Sequence, residues 1–165
     1  MATAIIYYSR SGHSKRLAER LAREMNAELL EIVAPAYAGR LYGYARAGFD
    51  SLRQRKAGRP PPLPSLAEFD RIVLCGPVWT SYPAVPLRDL LRSGAIQPAS
   101  VSLFLTSGAH SPASAAFDAA AADLGRSFAA TASLPNSAEN TAVEERLIAQ
   151  FLADLEAVVV FKKAD

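Results

Sequence analysis

Residues 9–14 read S-R-S-G-H-S: three hydroxyl side chains around one glycine, set between an apolar run and a helix-like stripe. That combination suits an anion. Ser11, Gly12, His13 and Ser14 fall where the first N–H groups of a helix have no acceptor inside it, and the helix dipole favours negative charge there. The hydroxyls of Ser9, Ser11 and Ser14 add donors, and Gly12 lets the backbone approach an oxygen closely. A plain helix cap with solvated serines would use the same residue types. The S-x-S-G-x-S spacing directly after a strand favours phosphate over that reading.

Phosphate users of several kinds are excluded by what the chain lacks. There is no G-x-x-x-x-G-K-[ST] for a nucleotide hydrolase and no G-x-G-x-x-G for a dinucleotide-binding unit. A cysteine phosphatase would need its nucleophile in this loop, whereas the single cysteine, Cys75, sits in a later apolar run as a small core residue. A phospho-receiver would need acidic residues where Ser9 and Arg10 stand, and there is no G-x-S-x-G elbow.

The elements that must position this loop alternate regularly. Apolar runs at residues 4–8, 27–33, 71–75, 101–105 and 128–134 read as strands. Helical stripes start at Ser14, span 86–92 before Gly94, run to about Leu124 with Ser111 as N-cap and Pro112 in the first turn, and recur with Leu147, Ile148, Phe151, Leu152 and Leu155. A further helix is expected at 41–55, although Gly43 and Gly48 weaken it. Residues 56–65, KAGRPPPLPS, form a stiff connector, and Ser65 with Glu68 has the spacing of a capping box and one helical turn. The P-x-x-P spacing of Pro61 and Pro64 fits that connector better than a peptide ligand.

Strands alternating with helices predict one α/β domain over residues 1–165, a three-layer αβα with a five-stranded parallel sheet of order 2-1-3-4-5. Its crevice lies beyond the carboxyl ends of strands 1 and 3, where the loops at Ser9, Pro77 and Thr106 converge.

With 165 residues, half of them apolar, the chain can bury a sizeable core. A net charge of +2 is too small to argue for nucleic acid. One cysteine excludes an internal disulfide framework and a multi-cysteine zinc site. The longest uncharged apolar run near the end, 157–161, is far below the roughly 20 residues that span a bilayer. Residues 1–3 run straight into a strand with no room for a leader, so a cytoplasmic protein is expected.

Three stretches in order resemble one family. YYSRSGHS resembles the FMN-phosphate loop of flavodoxin-like proteins, roughly [ST]-x-[ST]-G-x-[ST]; FDRIVLCGPVWTSYPAVPLRDLL resembles their third strand and second flavin loop; LFLTSGAH resembles their fourth strand and third loop. The resemblance spans nearly the whole chain and implies the flavodoxin-like fold with FMN held non-covalently. It implies Ser9, Arg10, Ser11, Gly12, His13 and Ser14 around the phosphate, Pro77, Val78, Trp79 and Thr80 flanking the flavin ring, and Thr106, Ser107 and Gly108 at its polar edge.

Trp79 is the only tryptophan, and an aromatic at that point can stack on the ring. Electron-transfer flavodoxins usually carry a second aromatic in the third loop; here the nearest residue is His110, which leaves one face open and makes His110 the candidate proton donor.

Shuttle flavodoxins are typically acidic, whereas this chain is basic, with Arg40, Arg46, Arg53, Arg55, Lys56 and Arg59 opposed locally only by Asp50. As a ligand surface it would draw an anionic reductant rather than a basic protein, within the 8–10 Å or so that salt allows; a solvated arginine-rich helix reads equally well. Tyr37, Tyr42 and Tyr44 could wall an aromatic substrate pocket or equally pack locally. The expectation is an oxidoreductase passing electrons from NAD(P)H to a small acceptor such as a quinone, with a homodimer allowed and with no nucleic acid or membrane span. The alternatives are a one-electron carrier serving a redox protein and a non-enzymatic binding module on the same fold.

Overall fold

The first strand, β1 (Thr3–Tyr7), buries Ala4, Ile5 and Ile6 completely, as a strand covered on both faces must. It is followed by α1 (His13–Met25), β2 (Glu28–Glu31), β3 (Arg71–Trp79), β4 (Tyr82–Pro83), α2 (Val85–Arg92), β5 (Ser100–Ser107), α3 (Ala113–Leu124), β6 (Thr131–Pro135) and α4 (Ala142–Lys162). The computed structural model describes residues 1–35, 63–97, 100–108 and 113–162. The expected helix at 41–55 with its tyrosines and arginines, Tyr37, most of the proline-rich connector, Ser111-Pro112 and His110 lie outside the described residues.

The main strands are parallel in the order β2-β1-β3-β5-β6, and β4 pairs antiparallel with the end of β3. With β4 set aside, this is the expected 2-1-3-4-5. Alternation along the strands feeds two cores. Ala4, Ile6, Ile72, Leu74, Leu103 and Leu105 meet Leu87 and Leu90 of α2 and Ala116 and Ala120 of α3. Ile5, Tyr7, Val73, Cys75 and Phe104 meet Leu17 and Leu21 of α1 and Ile148, Phe151 and Leu155 of α4. Phe104 and Phe151 join the sheet to α4 with ring centroids 4.8 Å apart. Among the described residues, no helix is long and apolar enough to cross a membrane.

Three local expectations are corrected. Gly76-Pro77 does not end the third strand, which continues to Trp79. Cys75 O accepts from Tyr8 N at 3.0 Å, so two residues on Pro77 faces the same side, where β1 has already ended. No N–H is missed there, and the Pro77 carbonyl accepts instead from Ala84 N at 2.9 Å. Ser65 and Glu68 do not open a helical turn: the Ser65 hydroxyl accepts from Ala67 N at 3.4 Å, and Phe69 N donates to Leu66 O in a simple turn that buries Leu66. The last strand starts at Thr131 rather than Phe128.

Three buried side chains give solution signatures. Burial pushes the Cys75 thiol well above its ordinary range, so the native protein should resist a thiol reagent that labels it readily in denaturant. The phenols of Tyr7 and Tyr8 are pushed up to about 12, chiefly by burial; Glu31 and Glu19 add to this at Tyr7, while Arg10 opposes it at Tyr8. The folded chain therefore holds these protons more tightly than the unfolded one. Stability is unaffected below about pH 10 and falls as the pH climbs from there towards 12. An ultraviolet titration should find at least two of the six tyrosines protonated until that range is reached or the chain unfolds.

Candidate functional site

The loop between β1 and α1 is shaped by one glycine and one serine. Gly12 caps α1 at φ +95° and ψ −20°, a conformation that residues with a Cβ avoid. Its N–H donates to the Ser9 hydroxyl at 3.1 Å, and its carbonyl accepts the first helical bond, from Arg16 N at 2.9 Å. The amides of His13, Ser14 and Lys15 therefore have no acceptor inside α1. No side chain caps the helix. Ser11 and Gly12 are exposed at the mouth of the loop, with Ser9, Arg10 and His13 half-buried beside them. This donor set fits a phosphate-sized anion.

The three expected loops do meet. Ser14 and Thr106, each 1% exposed, share a hydrogen bond of 2.7 Å between their hydroxyls, so the start of α1 is fastened to the carboxyl end of β5. Thr106 is also the ladder neighbour of Pro77 on β3. Pro77 is half-buried, while Val78 turns its side chain into the core under α2 and α3 and offers the crevice only its backbone. Ser107 is buried and Gly108 exposed at the end of β5.

Trp79 is half-buried, edge-on to Tyr8 with centroids 5.6 Å apart and planes at 86°. It also leans on Val85, against which Ala34 packs as well. Beyond it, Thr80 and Ser81 both have positive φ, 46° and 68°, and turn the chain back so that Tyr82 pairs with Trp79. Two such residues make a two-residue hairpin of the primed type, and neither is the Asn or Gly that such turns favour. The hairpin is absent from the sequence reading because its sequence carries no turn signal.

The clamp on α1 is likewise illegible in sequence. The His13 ring donates from Nδ1 to Glu139 Oε1 at 2.7 Å, a carboxylate having no proton to give in return. Arg16 Nη2 donates to Glu144 Oε1 at 2.8 Å, and Arg20 makes a two-pronged contact with Glu145 at 2.7 and 2.6 Å. Residues 13, 16 and 20 share one face of α1 by helical spacing. Their partners come from the turn after β6 and the first turn of α4. Glu144 is fully buried and also accepts from Asn140 N at 2.5 Å. His13 thus lends its backbone to the anion loop and its side chain to the clamp.

Comparisons with known proteins agree with this geometry. No protein-family model matches the sequence, and no curated protein matches it. Among solved structures, a flavoprotein from Lactobacillus acidophilus NCFM in complex with FMN is 26% identical, with a TM-score of 0.67 over 80% of this chain and 92% of that one. The apo-form of the flavoprotein from the same organism is 25% identical, with a TM-score of 0.61 over 84% and 95% of the two chains. A flavodiiron core from Synechocystis sp. PCC6803 is 17% identical, with a TM-score of 0.55, and covers all of this chain but 37% of that one. With that sheet order, those loops at its carboxyl edge and these neighbours, the chain has the flavodoxin-like fold.

Proposed function

We propose that this chain is an FMN-binding flavoprotein that passes electrons from NAD(P)H to a small acceptor such as a quinone. The observation that carries FMN is the donor set after β1. The amides of His13, Ser14 and Lys15 have no acceptor within α1, and Ser9, Arg10 and Ser11 stand beside them. They adjoin the crevice between β1 and β3, and a structural neighbour 26% identical was crystallised with FMN.

FMN, when bound, accepts a hydride or single electrons and releases them to an acceptor. The chain's own residues bind and orient it. The loop amides and the Arg10 guanidinium would receive the phosphate, while Gly12, at φ +95°, gives the backbone the turn that starts α1. Pro77, Val78, Trp79 and Thr80 would border the ring, and Thr106, Ser107 and Gly108 would line its polar edge. Ser14, bonded to Thr106, keeps the phosphate end and the ring end at a fixed spacing. His110 is proposed to hold the proton delivered to the reduced acceptor. The basic residues between positions 40 and 59, opposed there only by Asp50, favour an anionic reductant over docking on a basic redox protein.

The test is anaerobic stopped-flow of the FMN-loaded protein against NADH and NADPH. Bleaching of the flavin band by either nucleotide, followed by its return on adding a quinone, is the expected result. No bleaching by either would remove the reductase reading and favour a carrier. A protein that takes up no FMN at all would remove both.

A further inference from the structure

We propose that Arg88 and Asp123 are positioning residues for the ring side of this site: they hold the Trp79–Tyr82 hairpin in its left-handed turn and so set where Trp79 and Thr80 stand. The proposal rests on the FMN reading for its functional consequence and on the hairpin geometry for its substance.

Thr80 at φ 46° and Ser81 at φ 68° occupy a region that favours glycine, and a β-branched threonine is especially disfavoured there. Thr-Ser has little intrinsic tendency to form this turn. The geometry must be imposed by what surrounds it, as strained backbone at functional sites is.

The base of the hairpin is fixed by the bond from Ala84 N to Pro77 O. Its far strand is fixed through Tyr82, because the Arg88 guanidinium lies over that ring, 5.0 Å from its centroid. Arg88 cannot wander. It is 4% exposed and held in a fork by Asp123, with Nε to Oδ2 at 2.5 Å and Nη2 to Oδ1 at 3.2 Å. Asp123 also accepts from Arg92 Nε at 2.7 Å, so one carboxylate serves two guanidinium groups. The surplus positive charge of that trio suits the electron-rich face of Tyr82. Tyr82 is the ladder partner of Trp79, so the chain of contact runs from α3 through α2 to the indole at the crevice.

The experiment compares wild type, Arg88→Met and Arg88→Lys, each with and without the double change Thr80→Asn and Ser81→Gly, which forms the turn unaided. Hydrogen exchange of the hairpin amides in the apoprotein reads the turn directly, without flavin. Titrations with FMN and with riboflavin read the site.

Arg88→Met should speed hairpin exchange and weaken both flavins by the same factor, roughly tenfold, because the ring end and not the phosphate end is displaced. Arg88→Lys, which keeps the charge but loses the fork, should fall between. In the background of the turn-forming pair, Arg88→Met and Arg88→Lys should cost much less protection and affinity than they do in the wild-type background, giving a coupling that a purely additive loss would not show.

Unchanged hairpin exchange in the Arg88 variants, no recovery by the turn-forming pair, or a loss confined to FMN would each overturn the proposal. Should Arg88→Met not fold, Arg88→Lys carries the same comparison. If wild type binds neither flavin, the FMN reading fails and the exchange measurement alone decides whether Arg88 holds the turn.

Discussion

Replacing Gly12 by alanine should weaken FMN binding about tenfold while leaving riboflavin within about twofold. A Cβ at Gly12 would meet nothing within 4 Å, so crowding is not the cause. The cause is conformation: at φ +95° an L-residue with a side chain is disfavoured by about 1–2 kcal/mol. Alanine would relax the loop towards negative φ and turn the amides of His13 and Ser14 away from a common point. Riboflavin lacks the phosphate that those amides grip, so it should hardly notice. Parallel titrations by flavin fluorescence check this, and an equal loss for both ligands would place Gly12 away from the phosphate end.

Glu144→Ala should destabilise the fold by about 2–4 kcal/mol. The carboxylate is fully buried, and its removal would leave the Asn140 amide without its acceptor and Arg16 with only Glu139, 3.6 Å away. Glu144→Gln should lose less, because an amide oxygen can still accept from Asn140. Glu145→Gln is the control. The Glu145 carboxyl is held below its ordinary range chiefly by its bond to Arg20, yet it is exposed, so the change should barely move the midpoint. Urea denaturation of the three variants measures this ordering. Should Glu145→Gln prove as damaging as Glu144→Ala, burial would not be what gives the clamp its strength.

The parts of this fold that are legible in sequence are those written in local periodicity. Ala4–Ile6, Leu17–Leu21 and Phe151–Leu155 have the spacing of elements that must bury one or both faces, and they do. The order 2-1-3-4-5 follows from the alternation of strand and helix. The anion loop is legible for the same reason, its residue types and its place after β1 being adjacent in the chain.

What escapes is the long-range chemistry. Residues 13 and 139 are 126 apart in sequence, and 88 and 123 are 35 apart; no local pattern pairs them. Gly76-Pro77 looks like a strand end because proline usually stops a ladder, and only the neighbour's earlier end makes it harmless here. Thr80-Ser81 carries no turn signature because its geometry comes from Tyr82 and Arg88 rather than from itself.

The hydrogen bond between the Ser14 and Thr106 hydroxyls has a consequence for how this chain can vary over time. Losing either hydroxyl alone strands the other in a dry interior, whereas losing both to alanine and valine leaves a snug apolar contact. Substitutions at these two positions should therefore travel together among descendants, hydroxyl with hydroxyl or methyl with methyl, with mixed pairs rare.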